Sequence, residues 1–193
     1  MDYNNLLWLP IDIPKFPYPD MELAQDTSWA FWNFAKMVEG DSPYETTVLK
    51  QEILDAYPKL LEWFEYFPYK TIRNIKWNTQ VGEVRSHIDF TKPENNPDLF
   101  KNNSENEPCG YRILIRGSRT NKLFVMRDGE KVYVDIPDDT DVYVLRHTDG
   151  LHGVDVDEDR TTIFTHFEID PMRHRLLIEK SLEKYKNYAV WVK

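Results

Sequence analysis

From Pro68 to Asp170 apolar and polar residues alternate over about a hundred positions, and this alternation limits what the chain can become more than any other feature. A period of two residues belongs to a strand with unlike faces, whereas a helix repeats every 3.6. The pattern marks candidate strands at Thr71–Asn78, Gly82–Asp89, Tyr111–Arg116, Lys122–Arg127, Lys131–Ile136, Val142–Arg146, Leu151–Val156 and Thr161–Ile169. Asp128-Gly129 and Asp149-Gly150 are hairpin turn dipeptides, which favour antiparallel pairing over βαβ crossovers. The fold expected is mainly β with flanking helices, built on a double-stranded β-helix, the jelly-roll or cupin-like core.

The flanks have a different texture. Leu6–Pro14 reads as an extended entry segment, expected on an outer edge, because the nearby prolines forbid a helix. Thr27–Glu39 has helical spacing and Gly40 as its stop. Ser42-Pro43-Tyr44-Glu45 is a capping box that predicts a second helix burying Val48, Leu49, Ile53 and Ala56. Pro58 breaks it at Tyr57, and a short third helix runs through Lys59–Phe64. Pro171 opens a last helix, with Met172, Leu176, Leu177 and Leu182 expected to cover a sheet. The chain is thus expected to be one domain over 1–193: extended segment and helices in 1–69, the β core in 70–170, and a C-terminal helix in 171–193.

Charge excludes some functions. Residues 1–66 carry 4 Lys/Arg against 12 Asp/Glu, and the chain totals −9, which argues against a nucleic-acid surface. Pro171–Lys193 is basic, with 6 basic and 2 acidic residues, and is read as a solvated helix face. No apolar run approaches the ~20 residues of a membrane span, and Met1-Asp2-Tyr3-Asn4 lacks the basic start of a signal peptide, so a soluble cytoplasmic protein is expected. A single cysteine, Cys109, excludes an internal disulfide and a cysteine-based zinc site.

Within the β region, His87 and Asp89 are two positions apart, so a strand points them to one face. Such tripeptides are cheap: with 5 His and 33 acidic residues among 193, about 0.9 arise by chance, and the chain has three, at His87/Asp89, His147/Asp149 and His166/Glu168. A structural hydrogen-bonded pair is the alternative for any of them. His152 on a later strand and Arg160 at the head of the last set the first pair apart from the other two. Two histidines and one carboxylate on one side of an ion form the facial triad of non-haem Fe(II) oxygenases.

Gly82-Glu83-Val84-Arg85-Ser86-His87-Ile88-Asp89, Tyr111-Arg112-Ile113-Leu114-Ile115, His152 and Arg160, taken in order, resemble the 2-oxoglutarate/Fe(II)-dependent dioxygenases, most of all their aspartyl/asparaginyl β-hydroxylase branch. The resemblance covers roughly residues 58–171 and implies that His87, Asp89 and His152 bind Fe(II) while Arg160 binds the far carboxylate of 2-oxoglutarate. An arginine fork suits a carboxylate, and Thr162, on the same face as Arg160, can add a hydroxyl. The β-hydroxylase branch has Arg-x-His on its third core strand. Here Arg112 is followed by Ile113-Leu114, which leaves Arg112 for the near carboxylate of the cofactor, with Arg116 expected on the same face.

The activity so implied is hydroxylation of an amino-acid or peptide side chain, with release of succinate and CO2. Two other readings stay open: a non-enzymatic cupin-like metal-binding protein, and a nucleic-acid-directed oxygenase that stacks a flipped base. Lys92–Pro108, poor in apolar residues, is expected to be a lid over the barrel mouth. Its net charge of −2 would favour a neutral or cationic substrate.

Overall fold

The computed structural model describes residues 3–22, 44–48, 51–80, 83–89, 110–147, 150–155 and 160–192. The helix expected over Thr27–Glu39 and the lid expected over Lys92–Pro108 lie outside them. The described chain is mainly β and forms two antiparallel sheets.

The strands, in chain order, are β1 (Leu6–Pro10), β2 (Tyr44–Val48), β3 (Tyr69–Gln80), β4 (Val84–His87), β5 (Gly110–Arg116), β6 (Leu123–Arg127), β7 (Glu130–Tyr133), β8 (Val142–Leu145), β9 (His152–Val154), β10 (Arg160–Ile169) and β11 (Val190–Trp191). The helices are α1 (Gln51–Ala56), α2 (Lys59–Phe64) and α3 (Pro171–Tyr185). The larger sheet has the order β11-β1-β8-β5-β10-β3-β2 and the smaller β4-β9-β6-β7. All eight strands expected between 70 and 170 are present, with ends shifted by a few residues. The β6–β7 hairpin turns at Asp128 and Gly129, both at positive φ (54° and 83°), which is the two-residue turn that the dipeptide encodes.

Both faces of the larger sheet are covered. One face carries Trp77, Tyr111, Ile113, Val144 and Ile163 against Trp63, Phe64 and Phe67 of the α2 region and Ile178 and Tyr185 of α3. The other carries Trp8, Leu114, Tyr143 and Leu145 against Val84, Leu123, Val125 and Val154 of the smaller sheet. Each such side chain contributes about 1.5–3 kcal/mol by leaving water. Asp170 caps α3, its carboxylate accepting from the Met172 and Arg173 amides. Among the described residues no helix is long and apolar enough to cross a membrane.

Four expectations are corrected. Tyr44–Val48 is not helical: it forms a ladder of five pairs with β3, and this pairing of a Thr/Val-rich stretch overrides the local capping signal. The entry strand β1 is not on an edge, because β11 flanks it on one side and β8 on the other, with every residue buried. The C-terminal region is not helix throughout: it ends in β11. On α3, Leu177 and Leu182 pack against the core as expected, but Met172 and Leu176 are 74% and 60% exposed, and the buried residues are His174, Ile178, Ser181 and Tyr185. The two polar members are bonded: Ser181 Oγ accepts from the Asp12 amide and donates to the Leu177 carbonyl, and His174 Nδ1 lies 2.9 Å from the Tyr111 hydroxyl.

Candidate metal centre

The smaller sheet brings the two histidines together. β4 and β9 are antiparallel neighbours with His87 opposite His152, and the two rings stand 4.5 Å apart between centroids. Asp89 follows just beyond β4, where its amide donates to the His147 carbonyl at 2.8 Å. This tether turns the carboxylate toward both rings, with Asp89 Oδ1 3.3 Å from His87 Nε2 and 3.4 Å from His152 Nε2. One ligand atom from each of the three residues lies within 4.8 Å of the other two.

The far ring nitrogens decide what this cluster can hold. His87 Nδ1 donates to the Arg85 carbonyl at 2.8 Å, and His152 Nδ1 donates to the Gly150 carbonyl at 3.0 Å, in each case two residues back. A carbonyl oxygen only accepts, so Nδ1 carries the proton and a neutral ring presents the Nε2 lone pair to the carboxylate. Three lone-pair donors then converge, and one divalent cation satisfies all of them. Backbone fixation of the second ring nitrogen is the usual support of a metal-binding histidine. A set of two imidazoles and one carboxylate fits Fe(II) and its neighbours in the transition series.

When Nε2 is protonated instead, the same rings donate to the carboxylate. Burial pushes the Asp89 carboxyl up, but the positive charges of His152 and Arg112 and the hydrogen bonds from both histidines outweigh it and hold the group well below the usual carboxylate range. Burial pushes His87 down, yet its bond to Asp89 and the carboxylate charge leave it raised overall. Arg112 Nη2 donates to Asp89 Oδ2 at 2.5 Å.

His87, Asp89, His152, Arg112, Arg160 and Thr162 all line one cavity between the sheets. Arg160, the first residue of β10, is only 4% exposed, and among the described residues its one hydrogen bond is a 3.4 Å contact to the Tyr143 hydroxyl, with no carboxylate paired to it. Gly117 lies against its stem, where a Cβ would stand 3.1 Å from Arg160 Cγ. Thr162 and Phe164 come next on the same face of β10.

The remaining candidates fall elsewhere. Arg116 does not stand beside Arg112 as expected: Thr161 pairs with Arg116 while Thr162 pairs with Leu114, so β5 has one extra residue just before Arg116 and the ladder is irregular there. Arg116 is 55% exposed and pairs with Glu22 at 2.8 Å. His147 contributes its carbonyl to Asp89, and its buried ring is pushed down to about 4 by desolvation. His174 lies on α3 with Tyr111, against the opposite face of the larger sheet. Reading the sequence missed Tyr143, Gln80 and Asn78. Tyr143 and Gln80 line the cavity and Asn78 is buried on its strand; the available signal was the run of polar residues at alternate positions Lys76, Asn78 and Gln80 of β3 and the tyrosine between two valines of β8.

No protein-family model matches the chain, and no curated protein matches its sequence.

Proposed function

We propose that the protein is an Fe(II)- and 2-oxoglutarate-dependent oxygenase on a double-stranded β-helix, acting on an amino-acid or peptide side chain. The observation that carries this reading is Arg160: a buried guanidinium with no carboxylate paired to it among the described residues, in the same cavity as a His-Asp-His set. A buried charge is tolerated only with a partner, so the cavity calls for an anion beside a metal. A keto acid with a second carboxylate meets both demands in one molecule.

The strand order supports the jelly-roll part. β3, β10, β5 and β8 are neighbours in one sheet and β4, β9, β6 and β7 make the other, so the chain crosses between sheets repeatedly. In this reading His87, Asp89 and His152 hold the iron. When bound, iron and keto acid together supply the oxidising power that places one atom of O2 in a C–H bond and the other in succinate, with CO2 released. Arg160, with the Thr162 and Tyr143 hydroxyls beside it, binds the distal carboxylate and so fixes the depth of the keto acid in the cavity. Leu123, Leu145, Val154 and Phe164 supply apolar walls that exclude water. A reducing cytoplasm suits both a ferrous site and a chain with one cysteine.

Against a nucleic-acid substrate stand the charge of −9 and the internal use of the basic tail. Lys180 and Lys184 pair with Asp12, and Arg173 donates to the Glu65 and Tyr69 carbonyls. Anaerobic titration with Fe(II), then with 2-oxoglutarate, tests the proposal. A metal-to-ligand absorption band that needs both components, followed by succinate on admitting O2, is expected. Iron binding with no response to the keto acid would replace it with the cupin-like metal-binding reading.

A further inference from the structure

We propose that Arg112 is a positioning residue for the metal centre: it engages Oδ2 of Asp89, so that this carboxylate meets a bound metal through Oδ1 alone. The inference rests on reading His87, Asp89 and His152 as metal ligands, and it does not depend on the keto acid.

A carboxylate can offer a metal one oxygen or two, and the difference sets how many positions remain for other ligands. In Asp89 the two oxygens have separate partners. Oδ1 stands 3.3 Å and 3.4 Å from the two histidine Nε2 atoms, and Oδ2 receives Arg112 Nη2 at 2.5 Å. The guanidinium is itself held from other sides. Its Nη1 donates to the Tyr111 carbonyl at 3.1 Å, and its carbon lies 3.9 Å from the centre of the Phe164 ring. The Arg112 side chain is 8% exposed and that of Asp89 16%, so water competes little for the pair.

The pair also spans the fold. Arg112 belongs to β5 of the larger sheet, whereas Asp89 lies just past β4 of the smaller, the sheet that carries both histidines. It therefore ties the ligand set to the sheet that carries Arg160 and keeps the metal and anion sites in a fixed relation. This use is separate from the contact with the cofactor's near carboxylate expected from the sequence: Asp89 and the Tyr111 carbonyl take two of the five N–H donors of the guanidinium.

Co(II) is the probe, since it reports affinity by titration and ligand arrangement by its visible spectrum, without turnover. Arg112→Met is expected to weaken Co(II) binding by about 10–100-fold, the range for lost outer-shell support of a metal ligand. It should also change the spectrum at saturating metal, which a residue that merely stabilises the fold would not do. Arg112→Lys, which keeps one charged donor, should recover part of the affinity and serves if the methionine variant does not fold. In an Asp89→Ala background, Arg112→Met should cause no further loss, because its effect passes through Asp89. Wild-type affinity and spectrum in both folded Arg112 variants, or a full additional loss in the Asp89→Ala background, would overturn the proposal while leaving the metal centre standing. A wild-type protein that binds no Co(II) would remove the metal centre and this inference with it.

Discussion

His87 and His152 are register partners on adjacent antiparallel strands, and each donates Nδ1–H to the carbonyl two residues before it. The same local device on two strands turns both Nε2 atoms toward Asp89 Oδ1. Neither strand could do this alone, since the second ring arrives from the far end of the β region.

Metal binding should depend on these two rings and on no other described histidine. Alanine at His87 or His152 is expected to weaken Fe(II) or Co(II) binding by more than about 100-fold, beyond the effect of outer-shell changes. His147→Ala and His174→Ala should bind near wild-type levels in the same calorimetric titration. Loss of binding in His147→Ala with retention in His152→Ala would mean that the ligand set is wrongly assigned.

Removing the buried guanidinium should separate anion from metal binding. Arg160→Ala is expected to weaken 2-oxoglutarate binding by about one to two decades, equivalent to about 1.5–3 kcal/mol for a charge-assisted hydrogen bond. Fe(II) affinity should stay unchanged, and Arg160→Lys should restore only part of the loss. An Arg160→Ala protein with unaltered keto-acid affinity would place the anion elsewhere in the cavity.

Gly117 offers a test of the same site without touching a polar atom. It has φ of +113°, and a Cβ there would press on Arg160 at 3.1 Å from Cγ and 3.3 Å from Cα. Gly117→Ala should therefore lower stability by about 1–3 kcal/mol in urea unfolding. It should also weaken keto-acid binding, by moving the guanidinium. If stability falls but keto-acid affinity does not, Arg160 is not positioned from this side.

Stability should fall in mild acid, and His174 should account for part of it. Burial, aided by the Arg175 charge, pushes His174 from its ordinary 6.5 to about 4. The unfolded chain therefore takes up this proton first as pH falls. The contribution is fully present above pH 6.5 and is lost between 6.5 and 4, at about 1.4 kcal/mol per pH unit and about 3 kcal/mol in all. His174→Gln should flatten the pH dependence of unfolding free energy by one proton over that window. An unchanged slope would show that the ring titrates normally.

Local sequence was enough for the alternation from 70 to 170, the Asp128-Gly129 hairpin, the break at Pro58 and, of the residues that meet in the cavity, His87, Asp89, His152, Arg112, Arg160 and Thr162. These are readable because period, turn chemistry and the effect of proline act over a few neighbouring residues. What the alternation separates was not readable. A polar residue at every second position suits a solvated face, yet Asn78, Gln80, Arg112, Arg160 and Thr162 are all buried, because both faces of the larger sheet are covered and the alternation divides an apolar core from a polar cavity. The extra residue in β5 then parted Arg116 from Arg112, and pairing with β3 made a strand of Tyr44–Val48. Arg112 found Asp89 only because two sheets, each assembled from distant segments, face one another. Strand partners and the covering of a face depend on contacts between residues far apart in the chain, and a local pattern holds no record of them.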